Sequence, residues 1–491
     1  HTTKDGGNTW TTKTVDKLPG VPATAFINDI KADLLDAAVA YIALDNHKYG
    51  DYAPYLYKTT NGGKSWKSIA NGIPEGTLVW RLVQDHVNPN LLFLGTEYGV
   101  YVSLNQGEEW HKFSNGMPTI SVRDLAIQKR ENDLVAATFG RSFYVLDDYS
   151  PLRDITEDKL KKGAQLFPVK KALQYIESRG GTSSQGASFY TAKNPSYGAQ
   201  FTYFVSEDIK TQQEARKKAE KDLKKNKQDI PFPGWEALDA EKNEQKASAL
   251  LRITNKDGAK VAEVKGAYSK GLHRVSWNLR QTMPSAVDID SETDLGRGIR
   301  INVPPGEYTV QLFKKHLGQL TALAQPKIFD VERIRKNVLD NPNAAAHNAY
   351  AQNLNALYVR VEQMRKKFQK TTKKIQALTR TLSYSQGQST DLHQLVYDLD
   401  KRQLALDKHL NGSPSKKEVG EKDTPTLSNR LSVASRGFYY NTYGPTKMHM
   451  ESYDMAFSLA NSLAGKVDNL AESVDAAITK AETSGAPLFL E

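Results

Sequence analysis

The chain has 491 residues, of which 39% are hydrophobic and 25% charged, ordinary values for a globular protein with room for two to four domains. It carries no cysteine, which excludes disulfide staples, thiolate zinc sites and cysteine nucleophiles, and no apolar run approaches the about 20 residues that a bilayer-spanning helix needs. The net charge of +10 suits an anionic partner, but the excess lies after residue 150 among interleaved acids, so nucleic acid is not an expected partner.

The sequence starts at His1 without an initiator Met or a signal-peptide core, and is expected to be a processed or truncated piece. Residues 1–150 read as short strands broken by turn signals. Inner strands are expected at 26–30, 79–83 and 121–125, second strands at 39–43, 92–94 and 134–136, and third strands at 55–57, 100–102 and 143–145. One pattern is threaded among them three times: Thr3-Lys4-Asp5-Gly6-Gly7-Asn8-Thr9-Trp10, Thr59-Thr60-Asn61-Gly62-Gly63-Lys64-Ser65-Trp66 and Ser103-Leu104-Asn105-Gln106-Gly107-Glu108-Glu109-Trp110. The tryptophans fall 56 and 44 residues apart. Asp5, Asn61 and Asn105 are expected to accept hydrogen bonds from their own turns, and Gly7, Gly63 and Gly107 to supply backbone angles that a side chain forbids. Trp10, Trp66 and Trp110 then fold back as apolar plugs. The second copy has Asn for Asp, and the third also lacks the Ser/Thr before its tryptophan.

This pattern is that of the Asp-box, or BNR, repeat, at the period of a four-stranded propeller blade. Three blades, plus the last turn and strand of a preceding one, fit residues 1–150. A ring closes with about four to eight blades. The expectation is therefore a partial propeller completed by the N-terminal part of the same protein or by another chain. Three further stretches resemble one family: residues 45–59 (Asp45-Asn46-His47-Lys48-Tyr49-Gly50-Asp51 onward), Gly95-Thr96-Glu97-Tyr98-Gly99-Val100-Tyr101-Val102-Ser103, and Ala137-Thr138-Phe139-Gly140-Arg141-Ser142-Phe143-Tyr144-Val145-Leu146-Asp147-Asp148. The chain resembles the sortilin-like BNR-repeat proteins of bacteria, an exported family often labelled glycosyl hydrolase. The resemblance covers about residues 1–330 and the remainder more loosely. It implies a propeller, an Ig-like module and a helical tail, located in the periplasm, on the outer-membrane surface or outside the cell. The repeats also occur in sialidases, xyloglucan-cleaving enzymes and the peptide-binding receptor sortilin, so they speak to architecture and not to activity.

Residues 151–168 read as a linker and 177–198 as a long loop. Strands are expected at 200–205, 249–254, 260–264, 271–279 and 304–312, with a Lys- and Glu-rich helical insertion at 208–247 interrupted by Pro231-Phe232-Pro233-Gly234-Trp235. The alternation and the turn Pro304-Pro305-Gly306-Glu307-Tyr308-Thr309 match an Ig-like or fibronectin-like sandwich, and the module resembles the Ig-like domain of flagellar hook-capping proteins. From 347 the period becomes helical. Leu354, Leu357, Val361, Met364, Phe368, Thr371, Ile375, Leu378 and Leu382 form an a/d seam. Leu392, Leu395, Leu399, Leu406 and Leu410 start a second helix; a charged loop covers 412–425, a short piece 427–434, and Ala456 to Ile478 a third long seam.

Aligning the inner strands puts Asn28, Arg81 and Arg123 at one equivalent position on a channel wall, beside Asp29 and Asp124. The two guanidinium groups can fork onto a carboxylate, a sulfate or a peptide end, or pair with the neighbouring acids. A sialidase needs a third arginine and a Tyr/Glu pair; Arg141 is out of register and no such pair stands out. Another glycosidase needs two carboxylates across the scissile bond, for which Asp29 and Asp124 are the candidates. No nucleophile elbow is present. Asp45, His47 and Asp51 share a loop but fall short of a hard-cation or zinc ligand set, so no metal and no cofactor is expected. His273 and Trp277 read as sandwich packing. Arg360, Arg365, Lys366, Lys367, Lys370, Lys373 and Lys374 make a basic stripe that fits an acidic partner, an anionic membrane or simply a solvated face.

The sequence thus reads as a multidomain protein, mainly β and then α. A partial Asp-box β-propeller occupies 1–150, an Ig-like β-sandwich 151–335 and an antiparallel helical bundle or hairpin 336–491. The expected function is non-catalytic: a peptide or glycan binds at Asn28, Arg81, Arg123 and Asp124, and the other modules dock to a larger cell-surface or outer-membrane complex. The alternative is a glycoside hydrolase of sialidase or xyloglucanase type.

Overall fold

The computed structural model describes residues 1–491 except 4, 162, 176, 178–191, 282, 284–300, 336–343, 385–389, 440–443 and 487–491. Its first part is three antiparallel sheets in chain order. One holds β1 (Phe26–Ala32), β2 (Ala40–Asn46), β3 (Asp51–Thr59) and β4 (Lys67–Ser68). The next holds β5 (Val79–Gln84), β6 (Leu92–Thr96), β7 (Gly99–Ser103) and β8 (His111–Phe113). The third holds β9 (Val122–Gln128), β10 (Asp133–Thr138) and β11 (Phe143–Leu146), with no fourth strand among the described residues.

The sheets stack face to face, β5 against β1 and β2, and β9 against β5 and β6. The sequence of β6 explains the stacking, because Leu92-Phe93-Leu94 is apolar on both faces and such a strand must be covered on both. Leu92 and Leu94 pack with Tyr41, Leu56, Ile69, Tyr101 and Trp110 of one interlayer, and Phe93 with Val122, Leu134, Ala136 and Tyr149 of the other. Leu18 and Val21 cover the far face of the first sheet at Ile42, Leu44 and Tyr57. Phe143 and Val145 on the far face of the third sheet are exposed.

The three repeated turns close in the same way. The Thr3, Thr59 and Ser103 hydroxyls accept from the amides of Gly7, Gly63 and Gly107 at 2.8, 3.0 and 2.8 Å. The Asp5, Asn61 and Asn105 Oδ1 atoms accept from the amides of residues 9, 65 and 109 at 2.8, 2.9 and 3.0 Å. Asn replaces Asp without loss because the last hydrogen bond reverses. Thr9 Oγ1 donates to Asp5, whereas Asn61 Nδ2 donates to Ser65 Oγ. The Thr9 hydroxyl and amide, with the Thr3 hydroxyl, hold the Asp5 carboxyl down to about 2. The indoles beyond these turns fare differently. Trp110 is 2% exposed and donates from Nε1 to the Ile69 carbonyl at 2.8 Å, whereas Trp10 is 59% exposed, donates to the Gly7 carbonyl of its own turn and meets the His1 ring edge-on at 6.4 Å. Gly72 makes the close approach possible: a Cβ there would stand 2.4 Å from the Trp110 carbonyl oxygen, at a backbone φ of +87°.

The segment expected to be a linker is core. Tyr149, Leu152, Ile155 and Phe167 are buried in the same cluster as the third sheet, and Ala164–Leu166 is a strand. The fully buried Asp85 ties this segment down. It accepts from Arg153 Nε and Nη2 at 2.8 and 2.7 Å, from Tyr149 Oη at 2.6 Å and from the Asn88 amide at 2.6 Å. Burial pushes the Asp85 carboxyl up, but the Arg153 and Tyr149 hydrogen bonds outweigh it and hold the group below its usual range. A sequence reading takes Pro151, Arg153 and Asp154 as linker polarity because the partner of Arg153 lies 68 residues away.

Two further sheets face one another across Phe201, Tyr203, Leu251, Trp277, Leu312 and Phe329. One has strands Ala164–Leu166, Ala199–Val205 and Gly271–Trp277. The other has Ala172–Gln174, Lys327–Arg333, Gly306–His316, Ser248–Asn255 and Lys260–Ala267, with Gln319–Ala322 on the side; Ala172–Gln174 pairs in parallel and the rest antiparallel. Trp277 is buried and His273 stacks on Tyr203 with ring centroids 5.2 Å apart. Most of the expected loop at 177–198 lies outside the described residues. Arg274 fastens this part to the third sheet by donating to the Asp147 and Asp148 carbonyls, both at 2.6 Å.

The last part is helical: Ala344–Leu382, Thr390–Asn411, Leu427–Tyr439 and Lys447–Thr483, with a short turn of helix at Pro414–Glu418. Every residue of the first seam, from Leu354 to Leu382, is buried. The two long helices run parallel, since Lys367 pairs with Asp468 and Lys374 with Asp475. The helices of 22 and 13 residues run antiparallel to them in series: Arg402 reaches Asn469 and Ser473, and Tyr358 reaches the Leu431 carbonyl. The expected antiparallel alternation therefore fails twice: the two long helices share one direction, and the helices of 22 and 13 residues share the other. Met283 and Ile301 of the preceding part join this helical core.

If the buried indole is what seats the second sheet on the first, Trp110→Ala costs about 3–5 kcal/mol in urea denaturation and Trp10→Ala less than about 1 kcal/mol. Equal costs contradict this packing.

Candidate functional site

Each inner strand carries a bulge at the same place. Between Ile27, which pairs with Leu44, and Asp29, which pairs with Ala43, the extra residue is Asn28. Between Val79 and Arg81 it is Trp80, and between Val122 and Asp124 it is Arg123. The equivalent sets are therefore Asn28, Trp80 and Arg123, followed by Asp29, Arg81 and Asp124. The expected equivalence of Asn28, Arg81 and Arg123 is off by one at Arg81. The expected strand starts at 26, 79 and 121 are out of step: Val79 is equivalent to Ile27 and Val122, so counting three residues from each start carries the second strand one place too far.

That correction changes what Arg81 does. Its Nη1 donates to Asp29 Oδ1 at 2.9 Å, and its Nε lies 2.8 Å from Asp124 Oδ1 as an ion pair whose N–H is not aimed at the oxygen. One guanidinium thus stands between the two carboxylates named as a possible acid/base pair. The Asp29 side chain is only 5% exposed and also accepts from the Leu82 amide at 3.0 Å, while Lys31 lies 3.8 Å away. Asp124 is open to solvent and accepts from the Leu125 amide at 2.8 Å. Asn28 is spent on the fold, donating from Nδ2 to the Val79 carbonyl of the next sheet at 2.9 Å.

A second constellation lies next to it, at the hairpins joining β6 to β7 and β10 to β11. The Arg123 guanidinium stacks over the Trp80 ring at 3.8 Å, with Phe139 on another side at 5.6 Å. Glu97 Oε2 accepts from Trp80 Nε1 at 2.9 Å and Ser121 Oγ at 3.0 Å, and lies 3.6 Å from Arg123 Nη2. His47 meets Trp80 edge-on at 6.0 Å and is hydrogen-bonded through Nδ1 to the buried Asp45. Arg123 stays 45% exposed, a flat cation held by an aromatic floor. Trp80, Glu97 and Phe139 are residues that sequence reasoning missed. For the last two the signal was present: each follows a threonine, Thr96 or Thr138, whose hydroxyl closes its hairpin onto the Gly99 or Ser142 carbonyl.

The remaining candidates settle into structural contacts. Asp51 accepts from Tyr55 Oη at 2.6 Å and from Asn46 and Ala53, and chiefly the Tyr55 hydroxyl holds its carboxyl below the usual range. No group of three His, Asp or Glu residues able to hold a metal occurs among the described residues. Arg141 is exposed in its hairpin. The basic helical stripe faces across the bundle at Lys367 and Lys374, and Arg365 donates to Ser428. Asp5, Gly7, Asn61, Gly63, Asn105 and Gly107 lie in the three repeated turns. No helix of the described residues is long and apolar enough to cross a membrane.

No family model and no curated protein matches the chain. Among solved structures it is similar to an ancestral GH74 enzyme at 19% identity, over 30% of this chain and 22% of that one, with a TM-score of 0.20. It is similar to the GH74 xyloglucanase of Xanthomonas campestris at 12% identity over 60% and 38%, TM-score 0.21. It is also similar to the extracellular domain of a candidate one-component system from B. thetaiotaomicron, at 10% identity over 63% and 31%, TM-score 0.20. The chain spans between 22% and 38% of the length of these structures.

The two arginines separate cleanly by urea denaturation. Arg81→Met leaves Asp29 buried without its partner and costs about 3 kcal/mol, the low end for such pairs because Arg81 is itself partly exposed. Arg123→Ala costs less than about 1 kcal/mol. A large cost at Arg123, or none at Arg81, refutes this division of labour.

Proposed function

We propose that residues 1–150 are consecutive blades of an open Asp-box propeller of the sortilin-like kind, completed by blades outside this sequence. Its mouth binds a peptide or glycan without turning it over. One observation carries the reading: a single guanidinium occupies the space between Asp29 and Asp124, where a glycosidase needs a scissile bond, whereas Arg123 is offered to solvent on a Trp80 floor. An exposed, stacked arginine recognises a carboxylate or sulfate by paired hydrogen bonds, and Phe139 beside it provides a face for a sugar ring or an apolar side chain. Asp124 and Glu97 hold the two arginines in place. The sandwich spanning 151–335 and the bundle spanning 336–491 then serve as docking modules of an exported protein at the cell surface.

Binding is measured on arrays of acidic and neutral glycans and of peptides with free carboxyl ends, using the protein in its native assembly. Arg123→Ala is expected to weaken the best ligand roughly 10- to 100-fold, the worth of a charge-assisted fork. No ligand, or binding indifferent to Arg123, defeats the reading. Glycan hydrolysis abolished by Asp29→Asn or Asp124→Asn installs the glycoside hydrolase in its place.

A further inference from the structure

The insertion between strands Ala199–Val205 and Ser248–Asn255 is a hairpin of two helices, Gln212–Lys225 and Trp235–Asn243, and neither contains a buried residue. Polar bonds hold its legs together. Thr211 and Glu214 form a capping box, Arg216 takes Glu241 through two nitrogens at 2.7 and 2.8 Å, and the Gln212 amide donates to Glu244 at 2.6 Å. A hairpin without a core gains nothing for the fold from large apolar side chains. Its tip nevertheless carries three, all exposed: Trp235 at 76%, Phe232 at 62%, and Ile230. Phe232 and Trp235 meet edge to face with centroids 5.0 Å apart, and Pro231 and Pro233 fix the backbone on either side of Phe232. The leg leading to the tip exposes Lys217, Lys218, Lys221, Lys224, Lys225 and Lys227, with Asp222 and Asp229 as the exposed acids among them. Glu236 and Asp239 lie on the returning leg.

We infer that this tip is a membrane-surface anchor: Ile230, Phe232 and Trp235 enter the headgroup layer of an anionic bilayer while the lysines of the leading leg face its phosphates. Size selects this occupant over a protein. An aromatic side chain covers about 150–250 Å², so the three apolar residues offer roughly 500 Å², below the about 800 Å² per partner of a stable protein interface. A bilayer sets no such minimum. Tryptophan and phenylalanine settle at the headgroup level, lysine stems lie along the apolar boundary with their charges in water, and each lysine adds attraction to anionic lipid. The inference stands on the insertion alone and is independent of any ligand at Arg123.

The full chain is sedimented with phosphatidylcholine vesicles, with and without about 30% phosphatidylglycerol. The wild type is expected to pellet with the anionic vesicles, and to do so less as salt is raised. The variant F232S/W235S, and separately K221Q/K224Q/K225Q/K227Q, should bind roughly tenfold or more weakly. Because every substituted side chain is exposed and neither helix contains a buried residue, both variants keep the parent melting temperature, so a loss of binding is not a loss of fold. Failure of the wild type to pellet overturns the inference, as does equal pelleting of F232S/W235S. Stoichiometric capture of a protein through Phe232 and Trp235 without vesicle binding overturns it in favour of a protein partner. None of these results bears on the ligand at Arg123.

Discussion

A sheet that is apolar on both faces has to be covered on both, and this constraint organises the first third of the molecule. The second strands of the first two sheets, β2 and β6, leave almost nothing for water to touch: in β6 Leu92 and Leu94 look one way, Phe93 the other. Each sheet therefore requires a neighbour, and stacking proceeds until something closes it. At the near end Leu18 and Val21 lie over the first sheet. At the far end Phe143 and Val145 meet solvent, and among the described residues the third sheet has no counterpart of the fourth strand that β4 and β8 supply to the others. The exposure of Trp10 has the same origin. Its turn is built as well as the other two, but among the described residues no sheet packs over its indole.

Much of this was legible in the sequence, for identifiable reasons. A turn closed by Thr59, Asn61 and Gly63 uses groups at most four residues apart, so local pattern suffices. Heptads work likewise: the seam from Leu354 to Leu382 is wholly buried because a helix repeats its contacts every turn. The features that escaped depend on partners far along the chain or on where a strand starts to within one residue. Asp85 turns an apparent linker into core across 64 to 68 residues, through Tyr149 and Arg153. The expected strand starts were out of step by one residue, which put Arg81 in the row that Trp80 fills. The parallel course of the two long helices was equally out of reach, because a seam gives a face but not a direction.

The corrected row gives the mouth of the sheets its chemistry. Arg81 neutralises a nearly buried aspartate and belongs to the scaffold, while Arg123, one residue out of step with it, is held open by Trp80 and Glu97. The two roles come from burial and not from residue type. The parts behind the mouth are joined firmly to it: Arg274 grips the chain leaving the third sheet, and Met283 and Ile301 run into the helical core. Arg123 therefore sits on a continuous body, from which the helical hairpin with Phe232 and Trp235 stands out as an insertion whose two helices contain no buried residue.

The claim beneath all of this is that the stack of sheets continues past the third. A structure of the protein in its native assembly, at side-chain resolution, tests it directly. The account predicts a further sheet laid over Val135, Phe143 and Val145, and a strand hydrogen-bonded along the open edge of β11. Finding that face and that edge still in water, with no further sheet in contact, would contradict it.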